Sequence, residues 1–225
     1  MLILPEKMNS SEKFFKLLGE LFQEKNGQVA ETMLNLGVIY KVNYGVSLAT
    51  IRAVAVKYGP DHELALQLFE HDSREAKIAA TLVDDPAQVT PEQMDGWALE
   101  FLNGELVEQV CANLFRHVEY SLAKSFEWCL SEKPFLKKAG YLLAGYAAKN
   151  ADYRNQQLLP YLEMAVSDAS HSDVHLRTAI AFALREIALR NEECSKAVKT
   201  LLAKLSSNSD SSSAWIVEEV AGLIG

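Results

Sequence analysis

The apolar residues of this chain recur at steps of three and four almost throughout, and no segment alternates convincingly with period two. That spacing is typical of amphipathic α-helices and not of strands. Helix caps and breaks, such as Asn26-Gly27 and Thr90-Pro91, divide the pattern into about a dozen helices. We predict them near 11–25, 28–41, 47–58, 61–71, 73–84, 91–102, 104–118, 119–132, 135–149, 153–168, 172–190, 193–206 and 212–223. The pattern therefore predicts an all-α protein.

Many short helices joined by tight connections fit a compact bundle or a stack of helix pairs, and a degenerate repeat favours the stack. Three segments each lead from a basic residue into a helix rich in small residues: 74–80, 137–143 and 177–183. Ala139 and Ala179 lie 40 residues apart, near the period of HEAT-type pairs, whereas Ala76 and Ala139 lie 63 apart. We therefore expect an α–α superhelix, a HEAT/armadillo-like solenoid with irregular repeats, whose concave surface is the binding face.

One HEAT-like-repeat domain is expected over residues 1–225, with distinct ends. Residues 1–10 are predicted to be an N-terminal tail that lacks the pattern of a secretion signal. The serine-rich residues 206–213 are predicted to form a loop before a C-terminal capping helix. No apolar run reaches the roughly 18–20 residues needed to cross a bilayer, so no membrane partner is expected.

The charge balance changes which partners are plausible. Thirty acidic against 22 basic side chains give a formal charge of −8. That argues against indiscriminate nucleic-acid binding, which depends on clustered Lys and Arg, but it leaves room for a local basic face. Three widely spaced cysteines, Cys111, Cys129 and Cys194, are expected to be buried free thiols in a reducing, cytoplasmic compartment. No metal-binding or cofactor-binding motif is present, so neither a metal nor a cofactor is expected.

Six motifs, in this order, resemble the bacterial DNA alkylation repair family of HEAT-like-repeat alkylpurine DNA glycosylases: YGVSLATIR from Tyr44, HELALQLFEHDSREAK from His62, MDGW from Met94, EQVCANLF from Glu108, FLKKA from Phe135 and AIAFALRE from Ala179. The resemblance covers about residues 28–190. It implies an α-solenoid that cradles duplex DNA and hydrolyses the glycosidic bond of N3- or N7-alkylated purines. Active members place two tryptophans against the sugar, and an aspartate stabilises its developing positive charge.

The resemblance also implies the site residues, and here the chain departs from the family. The serine-tryptophan-aspartate-x-x-aspartate run falls on residues 103–108, with Gly104 at the tryptophan position and Glu108 at the catalytic aspartate position. The second tryptophan position falls on Phe182 and the DNA-contacting arginine on Lys138. Glu108 is the candidate catalytic residue, and its side chain is one methylene longer than that of the family's aspartate. Gly104 offers no ring to a sugar, whereas the other three positions keep their chemical type.

Two further patterns each allow a functional and an ordinary interpretation. Glu105 and Glu108 share a helical face, so they form either a paired-carboxylate site or a solvated acidic face. Basic residues recur at similar places in successive segments and form either a DNA-binding stripe or ordinary solvated and paired charges: Arg74, Lys77, Lys137, Lys138, Arg177 and Arg185. The three tryptophans, Trp97, Trp128 and Trp215, are expected in the core.

Three functional hypotheses follow. The first is a DNA alkylation repair-like protein that binds duplex DNA on a concave face and recognises alkylated purines, with glycosylase activity that is weak or lost. If it is an active enzyme, it is an alkylpurine DNA glycosylase. The alternative is a non-catalytic scaffold that binds a protein partner, motivated by the acidic balance and the altered site. The third is recognition of bulky or structured DNA without base removal, because Gly104 opens space in the cleft.

Overall fold

The computed structural model describes residues 8–224, in which every regular element is helical. Within this range there are fourteen α-helices and one short 3₁₀ helix, Phe115–His117. The α-helices are α1 (Ser10–Gln23), α2 (Gly27–Asn35), α3 (Leu48–Ala55), α4 (His62–Glu70), α5 (Arg74–Val83), α6 (Pro91–Ala98), α7 (Gly104–Asn113), α8 (Ser121–Cys129), α9 (Pro134–Ala148), α10 (Asn155–Leu158), α11 (Pro160–Asp168), α12 (Val174–Arg190), α13 (Glu192–Leu205) and α14 (Ser211–Ile224). The prediction of an all-α protein is confirmed.

Local chemistry explains where the helices begin and end. Thr90 caps α6 by accepting a hydrogen bond from the amide of Gln93, and Pro91 occupies the first helical position, as the sequence predicts. The helix predicted over 28–41 is shorter, because Gly37 adopts a φ of +80° just after α2. The helix predicted over 153–168 is divided at Pro160 into α10 and α11.

Each of the two predicted end segments contains the first residues of a helix. Of the N-terminal tail predicted over 1–10, residues 1–7 lie outside the described range, and Ser10 already begins α1 behind a capping box formed by Asn9 and Glu12. In the serine-rich segment predicted as a loop over 206–213, α14 already begins at Ser211. There Asp210 accepts a hydrogen bond from the amide of Ser213 at 2.7 Å.

The chain folds as two compact units, residues 1–114 and residues 115–225. In the first unit, α5 packs against α3, α4 and α7, and α1 packs against α3 and α4. Nearly every residue of α5 is buried, including the charged residues Arg74, Glu75 and Lys77. The helix whose cations are predicted to form either a DNA-binding stripe or ordinary solvated and paired charges is therefore an interior helix of the first unit.

In the second unit, α9 packs against α8 and α12, and α12 also packs against α13 and α14. Small residues make these contacts close. A Cβ atom on Gly140 would lie 2.7 Å from Cys129 Sγ, and one on Gly145 would lie 2.4 Å from Phe182 Cε1. The ring of Phe182 on α12 therefore rests directly on the backbone of α9.

The residues expected in the core are largely found there. Cys111, Cys129 and Cys194 are buried free thiols, as predicted. Trp97 is 6% exposed and Trp128 is 2% exposed. Trp215, on α14, is only half-buried, and the guanidinium of Arg177 lies over its ring.

Candidate nucleic-acid interface

The helix that carries the candidate catalytic residues begins at Gly104. Asn103 caps this helix, α7: its side-chain oxygen accepts a hydrogen bond from the amide of Leu106 at 3.0 Å. The same side chain donates to the carbonyl of Ile39 at 2.8 Å. Gly104 is therefore a buried residue at the first helical position and presents no side chain to a ligand.

The carboxylate of Glu105 is held inside the first unit. It accepts two hydrogen bonds from Arg74, from Nε at 2.8 Å and from Nη2 at 2.7 Å, in a bidentate arrangement. The hydroxyl of Tyr40 donates a third, at 3.0 Å. Burial and the neighbouring Glu105 carboxylate raise the pKa of Tyr40 far above its usual range. The Glu105 carboxylate is therefore engaged by Arg74 and Tyr40 within the first unit.

Glu108 lies one turn further along α7 and is exposed to solvent. The two carboxylates therefore differ in exposure, since Glu105 is half-buried. Because Arg74 and Tyr40 engage the Glu105 carboxylate, it is not available to act together with Glu108 as an acid–base pair. This arrangement favours the interpretation of a partly solvated acidic face.

The two predicted DNA-binding cations of α5 also serve the interior of the first unit. Arg74 is 3% exposed and donates from Nη1 to the Val46 carbonyl at 2.7 Å and to Glu75 at 3.1 Å. Lys77 is 9% exposed, and its ammonium donates to the carbonyl of Phe69 at 2.7 Å while lying 4.7 Å from the centre of that ring. Both side chains contribute to packing and are not presented to a phosphate.

Two predicted lysines of α9 are similarly committed. Lys137 pairs with Asp168 at 2.6 Å, and the hydroxyl of Tyr141 donates to the other oxygen of the same carboxylate at 2.7 Å. Lys138, which the resemblance places at the family's DNA-contacting arginine, is 1% exposed. Neither ammonium lies on an open surface.

Arg177 on α12 is placed differently. Its guanidinium lies 4.7 Å from the centre of the Trp215 ring, and both residues are half-buried. Its Nε has no hydrogen-bond partner among the described residues. This arginine is held in place by a ring and retains donor capacity.

Phe182 belongs to a cluster of two rings and three cations in the second unit, which we name the ring–cation cluster. Its ring meets that of Tyr146 edge to face, with centroids 5.2 Å apart. The guanidinium of Arg185 lies 5.5 Å from the Phe182 ring centre, and the ammonium of Lys149 lies 5.9 Å from it. Arg116, which is exposed, lies 5.0 Å from the ring centre of Tyr146.

A buried carboxylate holds two of these cations in place. Glu186 is 6% exposed, accepts hydrogen bonds from Arg185, and pairs with Lys149 at 3.1 Å. Burial opposes ionisation of Glu186, but the bonds from Arg185 and Lys149 outweigh it and lower the pKa of the carboxyl. The side chain of Lys149 is nevertheless 56% exposed and that of Arg185 is 34% exposed. The cluster is therefore ordered and remains open to solvent.

Sequence reasoning found Phe182 and Arg185 of this cluster but missed Arg116, Tyr146 and Lys149. A signal for two of them was present, because each ring precedes a cation by three residues: Tyr146 on α9 precedes Lys149 at the end of that helix, and Phe182 precedes Arg185 on α12. That spacing places ring and cation on one helical face. Nothing in the local sequence marks Arg116, which follows α7.

The charge of the protein is divided unevenly between the units. Residues 1–114 contain 9 Lys and Arg against 17 Asp and Glu, whereas residues 115–225 contain 13 of each. The whole excess of negative charge therefore belongs to the first unit. The second unit is neutral overall and carries the ring–cation cluster, so it is the part of the chain better suited to a polyanion.

In the part of the chain that the structure describes, no helix is long and apolar enough to cross a membrane. Within residues 8–224 no group of three or more His, Cys, Asp and Glu side chains could hold a metal ion.

Comparisons with known proteins identify the family. Among curated proteins, no sequence matches significantly. Among solved structures, a protein described as one of "a new family of proteins related to the HEAT-like repeat DNA glycosylases with affinity for branched DNA structures" matches with a TM-score of 0.78 at 17% sequence identity. The match covers 94% of this chain and 96% of that protein, so the two share a HEAT-like-repeat helical fold. The family model described as DNA alkylation repair enzyme matches residues 5–215, and the chain belongs to that family.

Proposed function

We propose that this protein binds DNA through the ring–cation cluster of its second unit, prefers branched over linear duplex DNA, and does not hydrolyse glycosidic bonds. The observation that carries the proposal is the cluster itself. Tyr146 and Phe182 are half-buried rings with Arg116, Lys149 and Arg185 around them. Cations supply sequence-independent affinity for phosphates, and aromatic faces stack on bases that are not stacked on each other.

The preference for branched DNA follows from the chemistry of the rings. Base faces within a linear duplex are covered by their neighbours, whereas a branch point exposes the terminal faces of its arms. A surface that combines rings with cations therefore gains more binding free energy from a junction than a surface with cations alone. The structural relative's described affinity for branched DNA agrees with this proposal and with the hypothesis of structured-DNA recognition without base removal.

The α7 helix argues against glycosidic-bond hydrolysis. At the position where the resemblance implies a sugar-contacting tryptophan, the chain has the buried Gly104. The Glu105 carboxylate is engaged by Arg74 and Tyr40. The remaining carboxylate, Glu108, is exposed, whereas stabilisation of a developing sugar cation is strongest where water is excluded.

A binding experiment tests the proposal. A fluorescein-labelled four-way junction and a linear duplex with the same arm sequence are titrated with protein at several salt concentrations, and fluorescence anisotropy gives Kd. We expect tighter binding to the junction. The double variant Arg116→Gln/Lys149→Gln should weaken junction binding about tenfold or more and lower the salt slope by about two, because two phosphate contacts are lost.

The matched control removes the same charge elsewhere in the second unit. Lys196, with a side chain 74% exposed, and Lys199, also exposed, lie on α13. The variant Lys196→Gln/Lys199→Gln should change Kd little. Equal losses in the two double variants would show that net charge alone governs binding, and would overturn the assignment to the cluster.

A further inference from the structure

An apolar patch lies on the first unit, around helix α2. Helix α2 buries none of its residues, which is unusual for a helix of a folded domain. On α2, in the loop after it and in the turn before α7, five large apolar side chains are between 58% and 77% exposed, and together they define the α2 patch: Leu34, Leu36, Ile39, Leu99 and Leu102. Single exposed apolar residues are ordinary, but a group of this kind is typical of an interaction surface.

The patch is held together by a buried side chain. Asn103 is 4% exposed, and its side-chain amide donates to the Ile39 carbonyl at 2.8 Å. That bond ties the loop after α2 to the turn that carries Leu99 and Leu102. Tyr40, next to Ile39, is bonded to Glu105 at the start of α7 and fixes the same loop a second time. The exposed side chains therefore project from ordered backbone.

The charged residues near this patch determine which partners it can bind. Two acidic residues on the segments that carry it, Glu31 and Glu100, are exposed, and Glu100 also pairs with Lys77 at 3.5 Å. They belong to the unit that carries 17 acidic against 9 basic residues. A nucleic acid would meet repulsion here. An isologous dimer through this face would bring two such acidic units together, at a further electrostatic cost.

We propose that the α2 patch docks a segment of another protein whose apolar side chains are interspersed with lysines and arginines. Apolar anchors would bury the exposed leucines, and basic residues would pair with the acidic rim, which gives both affinity and orientation. This inference concerns the first unit and stands apart from the DNA-binding proposal, which concerns the second.

The test uses two synthetic helical peptides with fluorescent labels, one built from leucine and lysine and one with glutamate in place of every lysine. Anisotropy titrations measure the affinity of the whole chain for each peptide. The leucine–lysine peptide should bind and the leucine–glutamate peptide should not. The variant Leu36→Ser/Leu102→Ser should weaken binding about tenfold or more, because it removes apolar anchors without changing charge.

The control variant, Val56→Ser/Val174→Ser, replaces two exposed valines outside the patch, 63% and 49% exposed, and should bind as the parent does. Circular dichroism verifies that all variants are folded. Three results would overturn the proposal. Both double variants could lose affinity equally; sedimentation could reveal a dimer that Leu36→Ser/Leu102→Ser dissociates; or that variant could weaken junction-DNA binding more than peptide binding.

Discussion

Replacing Arg74 by methionine tests whether this guanidinium holds the first unit together or contacts DNA. Arg74 donates four hydrogen bonds, of which two go to Glu105, one to Glu75 and one to a backbone carbonyl. Methionine preserves much of the volume and removes the charge. Glu75, which is fully buried, would then lose its cation and keep only the amides of Tyr44 and Val46. Removing one partner of a buried ion pair costs about 3–5 kcal/mol, and we expect a loss of unfolding free energy in that range.

Urea unfolding followed by circular dichroism measures the loss, and two variants calibrate it. Glu105→Gln keeps an acceptor for Arg74 and should cost less, about 1–2 kcal/mol. Arg52→Met removes an exposed arginine that makes one hydrogen bond, to Asn113 at 3.0 Å, and should cost no more than about 0.5 kcal/mol. Junction-DNA affinity, measured on the folded fraction, should be unchanged in all three.

The opposite pattern would refute this reasoning. If Arg74→Met unfolded at the same urea concentration as the parent and lost tenfold or more in DNA affinity, the guanidinium would be a phosphate contact. The buried network with Glu105 and Glu75 would then not describe its role in solution.

Three further predictions concern catalysis, acid stability and packing. Methylated duplex DNA should release 7-methylguanine no faster with protein than by spontaneous depurination; a faster release that Glu108→Gln abolishes would contradict the proposed function. Burial raises the pKa of Asp61, but hydrogen bonds, the strongest from a lysine of α1, outweigh it and lower that pKa below its ordinary 3.8. The stabilising effect of Asp61 is therefore fully present above pH 3.8 and is lost as the pH falls through its lowered pKa. Asp61→Asn should thus flatten the fall in stability below about pH 4. An unchanged dependence of stability on pH would contradict this. Gly145→Ala should cost about 1–3 kcal/mol and weaken junction binding, because the new methyl displaces Phe182, whereas Gly96→Ala, with open space around it, should be neutral or stabilising; equal stabilities would contradict the close approach.

The helices were predictable because their signals are local. The cap at Thr90 and the apolar spacing act within a few residues, and most predicted helices are present. The misplaced boundaries also have local causes: the positive φ of Gly37 ends α2, and Pro160 divides a predicted helix. A glycine or proline inside a periodic pattern permits either continuation or a break, and packing decides between them.

The candidate site was harder to predict because burial is not a local property. Arg74, Lys77 and Lys138 have the charge of DNA-binding residues, yet each is at most 9% exposed. Whether a cation faces solvent depends on which helices pack over it, and the spacing of apolar residues along the chain does not show which helices these are. The resemblance did identify Phe182, which lies in the ring–cation cluster, although its role in DNA binding stays a prediction. It could not identify Tyr146, whose relation to Phe182 depends on the approach of α9 and α12.

The same close approach links the fold to the proposed function. Gly145 lets the Phe182 ring lie on the α9 backbone, and this brings Phe182 within edge-to-face reach of Tyr146. Lys149 and Arg185 then converge on the carboxylate of Glu186. A bulky residue at position 145 would separate the rings, and with them the cations. Gly145 is thus the structural condition for a surface that can bind both phosphates and exposed bases.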